Sequence, residues 1–249
     1  MKRAFFIITC FCLLTSAYAK FNDYFRLNFD NQSLPDHILP NEKNFAIVVG
    51  SMFAVSFLFD QSIRNYVQKE FYGGSNLFTE FLYKVGDRNY VFYGTMALYS
   101  ANVILQNSYY NETLMLSLMS LAVTQGITEA FKQSFRRTRP RHSPDNAFDF
   151  GISGDSFFSG HSSGAWAYFT VFAGRFPQIR WVAYGLAACV SLSRIYEDAH
   201  WTSDILLGAL VGYCVGRFML RTSVRYADRI NIIPYVDMGK KYVLVQYRF

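Results

Sequence analysis

Six stretches of the chain are dense in apolar residues and are separated by polar segments or by segments rich in glycine and proline. They run Phe45 to Phe59, Tyr90 to Leu105, Leu114 to Phe131, Ser162 to Phe176, Trp181 to Ser193 and Ile205 to Leu220. Each is long enough for a helix but short for an upright membrane span of about 20 residues. The pattern predicts an all-α protein, six helices packed as a bundle. Leu114 to Phe131 and Ile205 to Leu220 are apolar around most of their circumference rather than striped, which favours a membrane-associated bundle over a soluble one.

Both ends depart from this pattern. Lys2 and Arg3 precede an apolar run from Ala4 to Leu14, and Ala17-Tyr18-Ala19 stands before Lys20. That order of features predicts an export signal over residues 1–19. Residues 20–44 are mixed and polar, broken by Pro35 and Pro40, and read as a loose lead into the helical domain, which spans 45–229. Beyond it, residues 230–249 read as a β-hairpin: Ile232 to Val236, a turn over Asp237 to Lys240 containing Gly239, then Tyr242 to Phe249. Two strands alone are marginal in water, so the hairpin is expected to lean on the bundle, on lipid or on a partner.

Composition sharpens the membrane expectation. Hydrophobic residues make up 51% of the 249 and charged residues 17%, below the ~25% of an average soluble domain. The net charge of +6 falls to +4 without Lys2 and Arg3. That excess suits anionic substrates or lipid headgroups and is too diffuse for a nucleic-acid partner. Cys189 and Cys214 lie in apolar segments, and no cysteine or histidine spacing suggests a metal site, so no cofactor is expected.

Three polar clusters stand beside the apolar segments. In the first, Lys132 and Arg139 are seven apart, two turns on one helix face, and Pro140 ends the helix at Arg139. An ammonium and a guanidinium converging there can clamp an oxyanion. Arg136, Arg137 and Arg141 beside them admit a plainer reading, a positive cluster on the cytosolic side of a membrane. In the second, Ser159-Gly160-His161 opens the fourth helix, where a serine N-cap, free backbone N–H groups and the helix dipole favour phosphate. In the third, Arg194 is followed by His200 and Asp204, four apart, so that a carboxylate can hold one imidazole nitrogen while the other is free. Singly, each admits a structural explanation: a capped helix, an incidental histidine, an ion pair at a helix start.

Together, in order and spacing, they resemble the type-2 phosphatidic acid phosphatase and vanadium haloperoxidase superfamily. The likeness covers Lys132 to Asp204, with Phe158 standing where the family usually has proline. It implies that His200 is a nucleophile forming phosphohistidine, that Asp204 orients it and that His161 is the general acid. It further implies that Lys132, Arg139, Arg194, Ser159 and the Gly160 amide hold the phosphate oxygens. No metal is then required. The implied activity is hydrolysis of a phosphate or pyrophosphate monoester, foremost a lipid phosphate, in a bacterial envelope. Alternatives are a soluble periplasmic acid phosphatase of broad specificity, a haloperoxidase, and a non-catalytic envelope protein whose hairpin binds an unknown partner.

Topology sets two arguments against each other. An export signal puts Lys20 outside, and three full spans would then carry Lys132 to the cytosol. A periplasm-facing site, which Arg175 and Arg180 on the opposite side favour, requires that Tyr90 to Leu105 or Phe45 to Phe59 fail to span, or that the bundle be periplasmic.

Overall fold

The structure, a computed structural model, describes residues 42–71, 76–105, 107–151, 153–226, 230–237 and 240–247. The expected export signal and most of the polar lead lie outside the described residues. Among those described, seven α-helices follow one another: α1 (Glu42–Glu70), α2 (Leu77–Gly86), α3 (Arg88–Leu105), α4 (Ser108–Phe135), α5 (Gly160–Arg175), α6 (Arg180–Tyr196) and α7 (Thr202–Tyr226). Five of the six expected segments fall wholly within helices, and the sixth, Ser162 to Phe176, overruns the end of α5 by one residue. The count of six is corrected by α2, ten residues whose only buried apolar side chain is Leu82, too little of a stripe to read from sequence. Its start is secured by Asn76, whose side chain accepts from the backbone N–H of Phe78 and Thr79 while Thr79 reciprocates to the cap.

The first helix is also longer than its apolar run. It continues eleven residues past Phe59 to Glu70, and the extension carries Asp60, Gln61, Arg64 and Gln68. These polar residues ended the sequence signal because they face neighbouring loops rather than an apolar core.

The described helices up to Leu220 form one compact unit. Its centre is α5, packed between α4, α6 and α7. Gly212 and Gly216 of α7 lie against the α5 backbone so closely that a Cβ on Gly212 would fall 2.1 Å from the Ser163 carbonyl oxygen. Small residues four apart are what let helix backbones approach in an apolar medium. On the other flank, α4 turns Thr113, Ser117, Ser120, Thr124 and Thr128, all buried, towards the bundle, with Ser120 donating to the Ala167 carbonyl and Thr128 sharing a hydrogen bond with Ser163. Meanwhile Met119 and Val123 are exposed. The expectation that this segment is apolar around most of its circumference is therefore corrected: the inner face of α4 carries a row of hydroxyls beside the buried Leu114, Leu118 and Leu121, and Thr113, Ser117 and Thr128 donate to carbonyls one turn back on their own helix.

Three helical stretches, Asn44–Glu70, Tyr109–Phe135 and Thr202–Arg221, are long and apolar enough to cross a membrane. The outer face of α1 exposes Ile47, Val48, Met52, Val55, Leu58 and Phe59, a contiguous apolar surface that water does not favour. The protein is membrane-associated. Tyr90 to Leu105, one of the two segments that a periplasm-facing site requires not to span, lies in α3, which is not among the three.

The C-terminal unit is described by itself. Ile230–Asp237 (β1) and Lys240–Tyr247 (β2) run antiparallel in a register that sets Ile230 opposite Tyr247 and Asp237 opposite Lys240.

Candidate active site

The helix directions bring the three clusters to one end of the bundle. The last turn of α4 carries Lys132, the first turn of α5 carries Gly160 and His161, the last turn of α6 carries Arg194, and α7 opens on Ser203 and Asp204. Two loops complete the site, 136–159 between α4 and α5 and 197–201 between α6 and α7.

The long loop is shaped by a residue that the sequence reading left in a surface cluster. Arg137 is completely buried. Its Nη1 donates to Asp204 Oδ1 at 2.8 Å and to Ser203 Oγ at 2.7 Å, its Nη2 to Asp60 Oδ2 at 2.7 Å, and Nε and Nη2 to the Ala147 carbonyl. Phe57, Phe150 and Trp201 pack their rings around the guanidinium. A buried cation is tolerable only when paired and hydrogen-bonded, and this one is both. The cytosolic positive cluster is thus corrected for Arg137. The backbone follows: Thr138 N donates to Asp149 O, Ser156 N to Arg137 O, and Gly154 passes so near Arg137 that any Cβ would fall 2.2 Å from its carbonyl.

The second loop turns at Asp198, whose φ of 53° lies in the left-handed region, a conformation aspartate tolerates better than most residues. Arg64 of α1 grips its carboxylate with Nε at 2.8 Å and Nη2 at 2.6 Å, and Gln68 donates to the carbonyls of Ile195 and Tyr196. The extension of α1 therefore braces the turn that presents His200.

His200 is buried, and its Nδ1 lies 2.9 Å from the Ser156 carbonyl oxygen. A carbonyl can only accept, so Nδ1 carries the hydrogen and Nε2 keeps its lone pair. Asp204 Oδ2 is 3.7 Å from Nδ1, beyond hydrogen-bond reach. Between them stands the Ser156 hydroxyl, donating to Asp204 Oδ2 at 2.5 Å and lying 3.4 Å from Nδ1. The direct bond expected between His200 and Asp204 is replaced by a bridge through Ser156. Asp204 Oδ2 also accepts from the Trp201 backbone N–H at 3.0 Å, at the start of α7. Burial pushes the His200 imidazole down to about 4, against the opposing pull of Asp204.

His161 faces the same space. Its buried Nε2 has no hydrogen-bond partner among the described residues, a costly state that a ligand would relieve. Burial, reinforced by Arg194, His200, Lys132 and Arg139, pushes it down to about 3. Its ring lies 4.9 Å from that of Tyr83, which is also 5.2 Å from the Arg194 guanidinium. Tyr83 belongs to α2 and had no signal in the sequence.

The cations converge. A Cβ on Gly160 would lie 3.9 Å from Lys132 Nζ, so the ammonium reaches the amino end of α5, where Ser159 caps the helix by accepting from Ser162 N. Arg194 is buried and held by Ser193 and Glu197. Arg139 is forked onto Asp155 through Nε at 2.7 Å and Nη2 at 2.6 Å, a carboxylate the sequence reading did not single out. Phe158, the departure from the family pattern, is fully buried against Phe131. All eight sequence-derived site residues thus lie at one end of the bundle, while Asp60, Arg137, Ser156 and Tyr83 join them from elsewhere in the chain.

Known proteins are similar to parts of this chain. Residues 113–227 match the family model of the PAP2 superfamily. The chain is 33% identical over 111 residues to a lipid A 1-phosphatase of Porphyromonas gingivalis, covering 43% of this chain and 23% of that protein. It is 34% identical over 117 residues to a lipid A 1-phosphatase of Rhizobium etli, covering 44% and 49%, and 31% identical over 115 residues to a lipid A 4'-phosphatase of P. gingivalis, covering 42% and 48%. The chain thus matches less than half the length of each of these curated relatives. Among solved structures, the transmembrane PAP2 type phosphatidylglycerolphosphate phosphatase from Bacillus subtilis superposes with a TM-score of 0.53 at 16% identity, covering 72% of this chain and 96% of that one. Aquifex aeolicus LpxE gives 0.50 at 20%, covering 64% and 93%. At those identities the likeness is one of fold.

Proposed function

We propose that this chain is a phosphatase of the PAP2 type, a reading that the family model matching residues 113–227 supports, and that it removes phosphate from a lipid phosphomonoester through a phosphohistidine on His200. The observation that carries the reading is the tautomer of His200: with Nδ1 spent on the Ser156 carbonyl, Nε2 presents a lone pair beside Lys132, Arg139 and Arg194. The phosphate of a lipid A headgroup is the leading substrate, on the strength of the lipid A phosphatases that this chain resembles at 31–34% identity.

In the first step His200 Nε2 attacks phosphorus in line as the bond to the leaving oxygen breaks, and His161 gives that oxygen its proton. In the second, water attacks the phosphohistidine, surrenders a proton to His161 and releases orthophosphate with neutral His200 restored. Lys132, Arg139, Arg194 and the amides opening α5 hold the equatorial oxygens and offset the charge spread over them. His161 is neutral in the empty site because burial and four neighbouring basic groups oppose its proton. An entering phosphate dianion cancels that positive field, so the substrate itself restores the acid that its leaving group needs.

The site is proposed to face the periplasm. The test is phosphate release in EDTA from lipid A, phosphatidate, phosphatidylglycerol phosphate, undecaprenyl pyrophosphate and p-nitrophenyl phosphate, comparing wild type with His200→Ala in membranes. Expected is release from a lipid that EDTA leaves intact and the variant lacks. Equal rates in wild type and variant on every substrate would overturn the reading, and activity extracted without detergent would point to a soluble acid phosphatase instead.

A further inference from the structure

Asp60 lies outside the family match, on the long α1, yet its side chain is buried at the site end of the bundle. Its Oδ2 accepts from Arg137 Nη2 at 2.7 Å and from the Ser203 hydroxyl, and its Oδ1 from the Ser203 backbone N–H at 2.9 Å. Arg137 joins it to Asp204 at 2.8 Å, and Asp204 reaches His200 through Ser156. One counter-charge would suffice to bury a guanidinium. Arg137 has two, so the group Asp60, Arg137 and Asp204 carries a net single negative charge beside His200.

We propose that Asp60 is a positioning residue for the histidine nucleophile, acting through Arg137 and Asp204; this rests on the reading of His200 given above. Attack by Nε2 on phosphorus places positive charge on the imidazole, and the net negative charge behind it offsets that charge. By sharing the fork of Arg137, Asp60 also keeps Asp204 from being neutralised outright, so its Oδ2 remains available to Ser156. The other charged groups facing His200 are Arg139 and Lys132 from the α4 side, His161 from α5 and Asp155 from the loop, and none of them touches Asp60. Arg64, the nearest other charge on α1, is occupied by Asp198.

The experiment compares wild type, Asp60→Asn, Asp60→Glu and His200→Ala, full-length in membranes, by kcat and KM against pH on a hydrolysed lipid phosphate. Asp60→Asn is expected to lower kcat by roughly tenfold or more with KM within about twofold. It should also move the acidic limb of kcat/KM to lower pH, because His200 loses net negative charge and releases its proton more easily. Asp60→Glu, which keeps the charge, should recover part of kcat and return the limb towards wild type. Should Asp60→Asn not accumulate folded, Ser203→Ala carries the test: the Ser203 hydroxyl donates to Asp60 Oδ2, its loss leaves the buried carboxylate a donor short and favours the neutral acid, and the limb must still move down. An acidic limb unmoved in the folded variants, or a loss of activity that only tracks loss of folded protein, overturns the proposal. If wild type releases no phosphate that His200→Ala abolishes, the reading of the site has failed, and this inference falls with it.

Discussion

The Ser156 carbonyl oxygen lies 2.9 Å from His200 Nδ1, so a backbone atom, rather than the carboxylate four residues on, sets the tautomer of the proposed nucleophile. The Ser156 hydroxyl then ties the same unit to Asp204. Ser156→Ala keeps the carbonyl and loses only the hydroxyl. It should lower kcat by roughly three- to tenfold with little change in KM, whereas His200→Ala should leave no lipid phosphate hydrolysis. Steady-state kinetics on the two variants decide this, and equal losses would mean that the hydroxyl, not the carbonyl, is the essential partner.

Arg139 is occupied by Asp155 in the empty site, so phosphate must displace a carboxylate to use the fork. Arg139 holds the Asp155 carboxyl below the usual carboxylate range, which keeps that competition in force at neutral pH and lets it fade only as pH falls through the depressed value. Asp155→Asn should tighten inhibition by orthophosphate or vanadate several-fold, about a factor of five on the scale of one exposed charge-assisted pair. The inhibition constants at pH 7 measure it; an unchanged or weaker constant would show that Asp155 aims Arg139 rather than guarding it.

His161 and His200 are held down to about 3 and about 4 in the folded protein, against about 6.5 in an unfolded chain. The folded state therefore binds fewer protons than the unfolded one between those values. Stability from these two groups is full above about pH 6.5 and is lost as pH falls towards 4 and 3. Thermal unfolding in detergent should show Tm dropping through that window, with a shallower slope in His161→Asn. An identical slope would place the acid sensitivity elsewhere.

Gly212 packs where any side chain would strike the α5 backbone. Gly212→Ala should destabilise the bundle by about 2 kcal/mol or more, since backbone cannot yield as a flexible side chain can. Gly185, which has open space around it, is the control: Gly185→Ala should be neutral or slightly stabilising in the same melts.

How much of this was legible in the sequence follows from which interactions are local. The apolar periodicity marked all six long helices, because burying a helix face demands apolar residues wherever that helix packs. The three polar clusters were legible because each is set by short spacing along the chain, although the helix expected to run to Arg139 ends at Phe135, where Arg136 turns the chain with a φ of 47°, and His200 precedes α7. Tertiary structure alone decided what stands behind them. Asp60 and Arg137 are 77 residues apart, and in sequence the one looked like the end of an apolar run and the other like a surface charge. Ser156 acts through a backbone carbonyl, which every residue possesses and no pattern can single out. Tyr83 reaches His161 from a helix too short to show a stripe. Charge pairing and backbone hydrogen bonding act through space between distant segments, and only the folded chain reveals which groups they join.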